Sequence, residues 1–184
     1  MSLRRQLRAG REERRWLASL ALTDHLTGLP NRRAWDETLR EMRESAEHTG
    51  QPLTVAIMDL DHFKQINGAH GQQVGDQVLR AAAAALREAL RGDDFVTRLG
   101  GDEFGVLLTG LRDSDAANVI ERARHSMPDS LAKADLPIVT ASVGFYGMDD
   151  VRVRGLSDTD IIAQADAALR RAKSAGRDQC VRAD

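Results

Sequence analysis

"FVTRLGGDEFGVLL", Phe95 to Leu108, is the stretch on which the fold turns. Apolar residues lie on both sides of Gly100, Gly101, Asp102 and Glu103, so the flanks read as strands and the middle as the turn joining them. Two glycines at the centre of a tight turn fit a two-residue hairpin, since both central positions can then take positive φ. An antiparallel hairpin therefore joins whatever other strands the chain makes.

Working outward, "PLTVAIMDL" (52–60) is a near-continuous apolar run with β-branched members, which predicts a central strand buried on both faces. Asp61 then stands where an N-cap would open a short helix through "HFKQIN". Beyond "GAHGQQ", Val74, Val78, Ala82, Leu86 and Leu90 recur every four residues, one face of a longer helix. Downstream of the hairpin the pattern predicts a helix from 114 to about 125, a strand in "LPIVTASVGFYG", and a helix in "DTDIIAQADAALRRAK". That helix turns Ile161, Ala165, Ala168 and Ala172 inward and stops at Gly176; "DQCVR" is a last short strand. Upstream, Gly28 and Pro30 punctuate "TDHLTGLPNRR", and Asn31 can cap a helix over 32–47. Residues 1–22, with six arginines against two glutamates, read as a linker helix, one strand of a coiled coil, before a domain over 23–184. The order predicts an α/β (α+β) fold with a mixed sheet of about five strands and surrounding helices.

Net charge is −2, so the molecule has no polycationic character and nothing points to nucleic acid. The single cysteine, Cys180, excludes an internal disulfide framework and fits a reducing cytosol. The five histidines show no zinc-ligand spacing. No apolar run approaches the ~18 residues that span a bilayer, and the basic opening lacks the apolar stretch of a secretory signal. The expectation is a cytoplasmic location with no membrane contact by this segment.

Asp59 ends an apolar strand, where an unpaired carboxylate is costly to bury. Asp102 and Glu103 follow the glycines directly. If the Asp59 strand lies beside the hairpin, the three acids converge. Clustered carboxylates repel unless a positive charge sits among them, and hard oxygen ligands suit Mg²⁺ or Mn²⁺. Taken alone, Asp59 reads equally well as a strand terminator and Asp102/Glu103 as a polar turn. The glycines weigh against that, because absent side chains let a phosphate approach the main chain.

"RLGGDEFGVLL" resembles the signature of the GGDEF diguanylate cyclases, which join two GTP into cyclic di-GMP. "DHLTGLPNRRAW" (24–35), "MDLDHFKQIN" (58–67), "GDQVLR" (75–80), "TASVG" (140–144) and "ADAALRRAKSAGR" (165–177) resemble further blocks of that family, in order and spacing. The resemblance implies a palm-like sheet of the nucleotidyl-cyclase, ferredoxin-like kind. It implies two Mg²⁺ (or Mn²⁺) per active site, held by Asp59 and Asp102 with the Leu60 carbonyl, and Glu103 either as a further ligand or as the group that activates the 3′-hydroxyl; Asp59, Asp102 and Glu103 would be the catalytic residues. Gly100 and Gly101 would lie against the α-phosphate region, and main-chain N–H groups around His62, Phe63 and Lys64 would hold terminal phosphates with Lys173 and Arg177. A lysine near a helix C-terminus is also favourable with no ligand at all. Asn67 and Asp76 would read guanine. Arg91 and Asp94, at the family's distance before the turn, would form its RxxD product-inhibition site, with Arg122 added.

Gly68 stands where the family usually has an acid, Gln72 where it often has His, and Arg170 where Tyr is common. The activity implied is GTP condensation with release of pyrophosphate by a homodimer under an upstream sensor. The alternative is a weak or inactive domain that binds GTP or cyclic di-GMP as a regulatory module.

Overall fold

A computed structural model describes residues 22–149 and 155–184; the expected linker helix over 1–22 lies outside them except for its last residue. The elements run α1 (Arg32–Thr49), β1 (Leu53–Leu60), α2 (Phe63–His70), α3 (Gln72–Ala89), β2 (Phe95–Gly100), β3 (Glu103–Thr109), α4 (Asp113–Lys133), β4 (Ala141–Met148), α5 (Asp158–Ser174) and β5 (Cys180–Arg182). The five strands form one open sheet in the order β2-β3-β1-β4-β5. β1 pairs antiparallel with β3 and β4, β2 antiparallel with β3, and β5 adds parallel to β4. The expected mixed α+β sheet is borne out.

β1 is the central strand, and its apolar run is continuous because both faces are covered. Ala56, Met58 and Leu60 face a core shared with α3 and α4, which includes Val78, Leu86, Ile120 and Met127. Leu53, Val55 and Ile57 face a second core with Trp35 of α1 and Ile161, Ala165, Ala168 and Leu169 of α5. The period of two therefore assigns Asp59 to the α5 side. Asn31 caps α1 as expected, its side chain accepting from the Arg33 and Ala34 N–H groups at 3.0 and 3.2 Å, and Gly50 closes it at φ 72°.

Two expectations are corrected. α4 does not stop near His125 but continues through Pro128 to Lys133. The proline removes one N–H and so one bond to the Arg124 carbonyl, at roughly 3 kcal/mol. Met127 and Leu131, both fully buried beyond the expected end, extend the same apolar face as Ala116, Val119, Ile120 and Ala123 and offset that cost. Asp61, in turn, is not the cap of α2. That position falls to His62 in the left-handed region, φ 59°, with no side-chain cap. Asp61 is turned inward and buried, where its carboxylate accepts from the Thr140 and Ser142 hydroxyls, each at 2.7 Å, and from the Asp178 N–H at 3.1 Å. A carboxylate out of water needs such donors. Its effect is to bind the end of β1 to the starts of β4 and β5.

Candidate active site

The β2–β3 hairpin closes one residue later than its glycines suggest. Gly100 still pairs with Glu103, so the two loop residues are Gly101 and Asp102, and the register shifts between Arg98 and Gly100. Both glycines have positive φ, 147° and 54°, so the turn and its bulge use the freedom that only glycine has at low cost. Arg98 holds the turn from below. Its guanidinium donates to the Gly101 carbonyl at 3.0 and 2.7 Å, and to both carboxylate oxygens of Asp24 at 3.1 and 3.2 Å. Asp24 also accepts from the Thr27 N–H and hydroxyl. Burial pushes the Asp24 carboxyl up, but the hydrogen bonds from Thr27 and Arg98 outweigh it and hold it below its usual value.

Asp59 and Glu103 are direct register partners across β1 and β3, and therefore share a face. The Leu60 N–H donates to the Asp102 carbonyl at 3.2 Å, which fastens the turn to the end of β1. From α5, the Lys173 ammonium reaches the Asp59 carboxylate at 2.7 Å. This reach depends on how closely α5 packs. A Cβ at Gly144 of β4 would stand 2.0 Å from the Leu169 nitrogen and 2.2 Å from the Ala165 oxygen, so only a bare α-carbon admits the helix backbone. Burial first, then the charges of Asp102 and Asp61, raise the Asp59 carboxyl above its usual value against the pull of Lys173. Much of Glu103 meets solvent, yet partial desolvation and then the charges of Asp59 and Asp166 raise it too. The pair is short of positive charge.

Asp59, Asp102 and Glu103 line one cleft of about 460 Å³, together with Leu60, His62, Phe63, Lys64, Lys173 and Arg177. The start of α2 opens onto it, with first-turn N–H groups that no side chain caps. A second cleft of about 320 Å³ shares Phe63, Lys64 and Asp102 with the first, and is lined by Asn67, Asp76, Arg98 and Gly101. Gly100 lines neither. Among the described residues no three His, Cys, Asp or Glu side chains are grouped closely enough to hold a metal alone. The oxygen-bearing residues that line the cleft include Asp59, Leu60, Asp102 and Glu103, whose carboxylate and carbonyl oxygens are hard donors. That set fits Mg²⁺, which takes one or two carboxylates and leaves its remaining positions to water and phosphate.

Arg91 and Arg122 come together on a third cavity, about 570 Å³, between α3 and α4. Arg122 is steadied there by donating to the Ala89 carbonyl at 2.9 Å. Asp94 does not line this groove; its carboxylate accepts from the Arg91 N–H at 2.9 Å and closes the turn after α3.

Sequence reasoning missed Arg98 and its partner Asp24. The available signal was a cation three residues before Gly101 in an otherwise apolar strand, with an acid and "LTGLP" far upstream; nothing local joins them.

The model of the family described as "Diguanylate cyclase, GGDEF domain" matches residues 21–179. The chain is 38% identical over 161 residues to the diguanylate cyclase DgcP of Pseudomonas aeruginosa, covering 86% of this chain and 23% of DgcP. It spans less than half the length of the curated relatives it matches first. Its fold is similar to the coiled coil and GGDEF domain of DgcB from Caulobacter crescentus, crystallised with c-di-GMP, at TM-score 0.85 and 30% identity over 97% of this chain and 94% of that one. It is similar also to the diguanylate cyclase SiaD of Pseudomonas aeruginosa, crystallised with its activator SiaC, at TM-score 0.81 and 39% identity, covering 97% and 68%. With a matched span that runs from ahead of the Asp24–Arg98 strap to the start of β5, and the glycine–acid turn at its centre, this chain belongs to the GGDEF diguanylate cyclase family.

Proposed function

We propose that this domain condenses two GTP molecules into cyclic di-GMP and releases pyrophosphate. The observation that carries the reading is the single cleft in which Asp59, Asp102 and Glu103 meet Lys173, Arg177 and the start of α2. Guanine takes the smaller cleft. The Asn67 amide presents both a donor and an acceptor to it, and Asp76 accepts from its N1–H and exocyclic amine. Adenine leaves those groups unpaired, which is the basis of discrimination. The triphosphate runs past Gly101 toward the α2 N–H groups, where Lys64, Lys173 and Arg177 supply charge. Asp59, Asp102, Glu103 and the Leu60 carbonyl would hold divalent cations, two per site, and such ions would supply positive charge against the negative charge that develops in phosphoryl transfer. Glu103 either serves as one of these ligands or takes the proton of the incoming 3′-hydroxyl. The 3′-oxygen attacks the α-phosphorus of the facing GTP, the P–O bond to the β-phosphate breaks, and pyrophosphate leaves with the electron pair.

One domain holds one GTP, so two must face each other in a homodimer. The coiled coil crystallised with the similar GGDEF domain of DgcB supports a dimerising role for residues 1–22, on which a sensor upstream would act. Product returns to the groove of Arg91 and Arg122 and slows turnover. Among the described residues no helix is long and apolar enough to cross a membrane, and GTP as substrate supports a cytoplasmic site of action.

A second reading, a domain that binds GTP or cyclic di-GMP without turnover, draws on Gln72, which lines the base cleft where the family often has His. Incubation of the protein with GTP and Mg²⁺, with cyclic di-GMP and pyrophosphate assayed together, decides between them. Both products in a 1:2 ratio are expected, and Glu103→Gln is expected to lower their rate by about 100-fold or more. Bound GTP with neither product overturns the catalytic reading.

A further inference from the structure

We infer that Gly75 is a positioning residue for guanine recognition, because its missing side chain supplies the space in which the Asn67 amide stands. Glycine is among the poorest helix formers, yet Gly75 lies inside α3, and it is buried there. Its φ is not in the left-handed region, so the backbone makes no demand for glycine. The demand comes from across the α2–α3 corner. A Cβ at Gly75 would lie 1.8 Å from Asn67 Oδ1, 2.9 Å from Asn67 Cγ and 3.2 Å from Phe63 Cζ. The volume left by the glycine is filled by one functional group, the end of the Asn67 side chain. That amide makes no hydrogen bond with the described residues, so its polar atoms are free to meet a ligand in the cleft it shares with Asp76. Any larger residue at 75 rotates the amide out of this position. The inference rests on the proposed reading of Asn67 as a base contact.

The experiment compares the wild type with Gly75→Ala, Asn67→Ala and the double variant. Alanine favours the helix, and the atoms it displaces are chiefly the end of a flexible side chain. Gly75→Ala is therefore expected to keep or raise the thermal midpoint while KM for GTP rises about 10-fold or more and kcat changes less, as in Asn67→Ala. In the Asn67→Ala background there is no amide left to displace, and adding Gly75→Ala is expected to change KM no further. GTP affinity by calorimetry carries the same four-way comparison. A wild type that binds GTP without cyclising it sinks the catalytic reading and leaves this inference to be decided by the affinities. An unchanged KM and affinity in Gly75→Ala overturns it. So does a loss in the double variant that equals the sum of the two single losses, or a fall in thermal midpoint that Asn67→Ala does not restore. A wild type with no affinity for GTP overturns both readings.

Discussion

Asp59 and Glu103 are placed where folding alone would not choose them. They lie side by side on one sheet face; burial and the charge of Asp102 raise the proton affinity of Asp59, burial and the charge of Asp59 raise that of Glu103, and one lysine is the only cation in direct contact with Asp59 among the described residues. The linkage has a definite sign. A carboxyl whose folded pKa lies above its unfolded value binds more protons in the folded state, so its contribution to stability falls as pH rises through that interval. Below the ordinary carboxylate range, about pH 4, both states are protonated and the penalty disappears. In metal-free buffer, thermal unfolding of Glu103→Gln is therefore expected to give a midpoint at or above wild type at pH 7, with the gap closing toward pH 4. A variant less stable than wild type at pH 7 would show that Glu103 supports the fold and is not strained by it. The acids and glycines of the turn were legible because they break an apolar pattern. Asp61 was legible only as an acid at a strand end, since the hydroxyls and the N–H that claim it come from residues more than seventy positions away.

At the scale of elements, α5 and β4 meet at Gly144 with no side chain from the strand between them. Gly144 faces the backbone of Ala165, Ala168 and Leu169, and main-chain atoms cannot swing aside as a side-chain tip can. Gly144→Ala is expected to cost about 1–3 kcal/mol in chemical denaturation, or more. It is also expected to draw Lys173 away from Asp59, so that cyclase activity falls further than stability alone accounts for. If both stability and activity match wild type, this contact is not what seats the helix. Most elements could be read from periodicity, because β1 alternates between two cores and α5 repeats small residues toward the sheet. Two features could not. Pro128 looks like a stop until the depth at which Met127 and Leu131 are buried is known. The hairpin shift is a matter of main-chain pairing, and a Gly-Gly sequence is compatible with either placement of the turn.

Across the whole molecule, the groove of Arg91 and Arg122 and the acidic cleft are joined by one strand. β2 leaves the turn that Asp94 closes and ends in the hairpin that Asp102 completes. On the function proposed above, product held in that groove has a short covalent path along β2 to the glycine–acid turn. Arg91→Ala is expected to leave the initial rate of GTP turnover near wild type and to raise the product concentration for half inhibition by about 10-fold or more, since a charge-assisted contact to phosphate is lost. Progress curves with added cyclic di-GMP measure it. Superimposable inhibition curves would remove the groove from the regulatory account. Asp94 acts here through the backbone of Arg91, a role that the spacing of the two residues does not convey.

The strap from Asp24 through Arg98 to the Gly101 carbonyl has a mechanical meaning. Asp24 lies near the start of the described residues, and its carboxylate is riveted through Arg98 to the glycine–acid loop. A pull on Asp24 is passed to that loop through the side chain of Arg98, across a handful of hydrogen bonds.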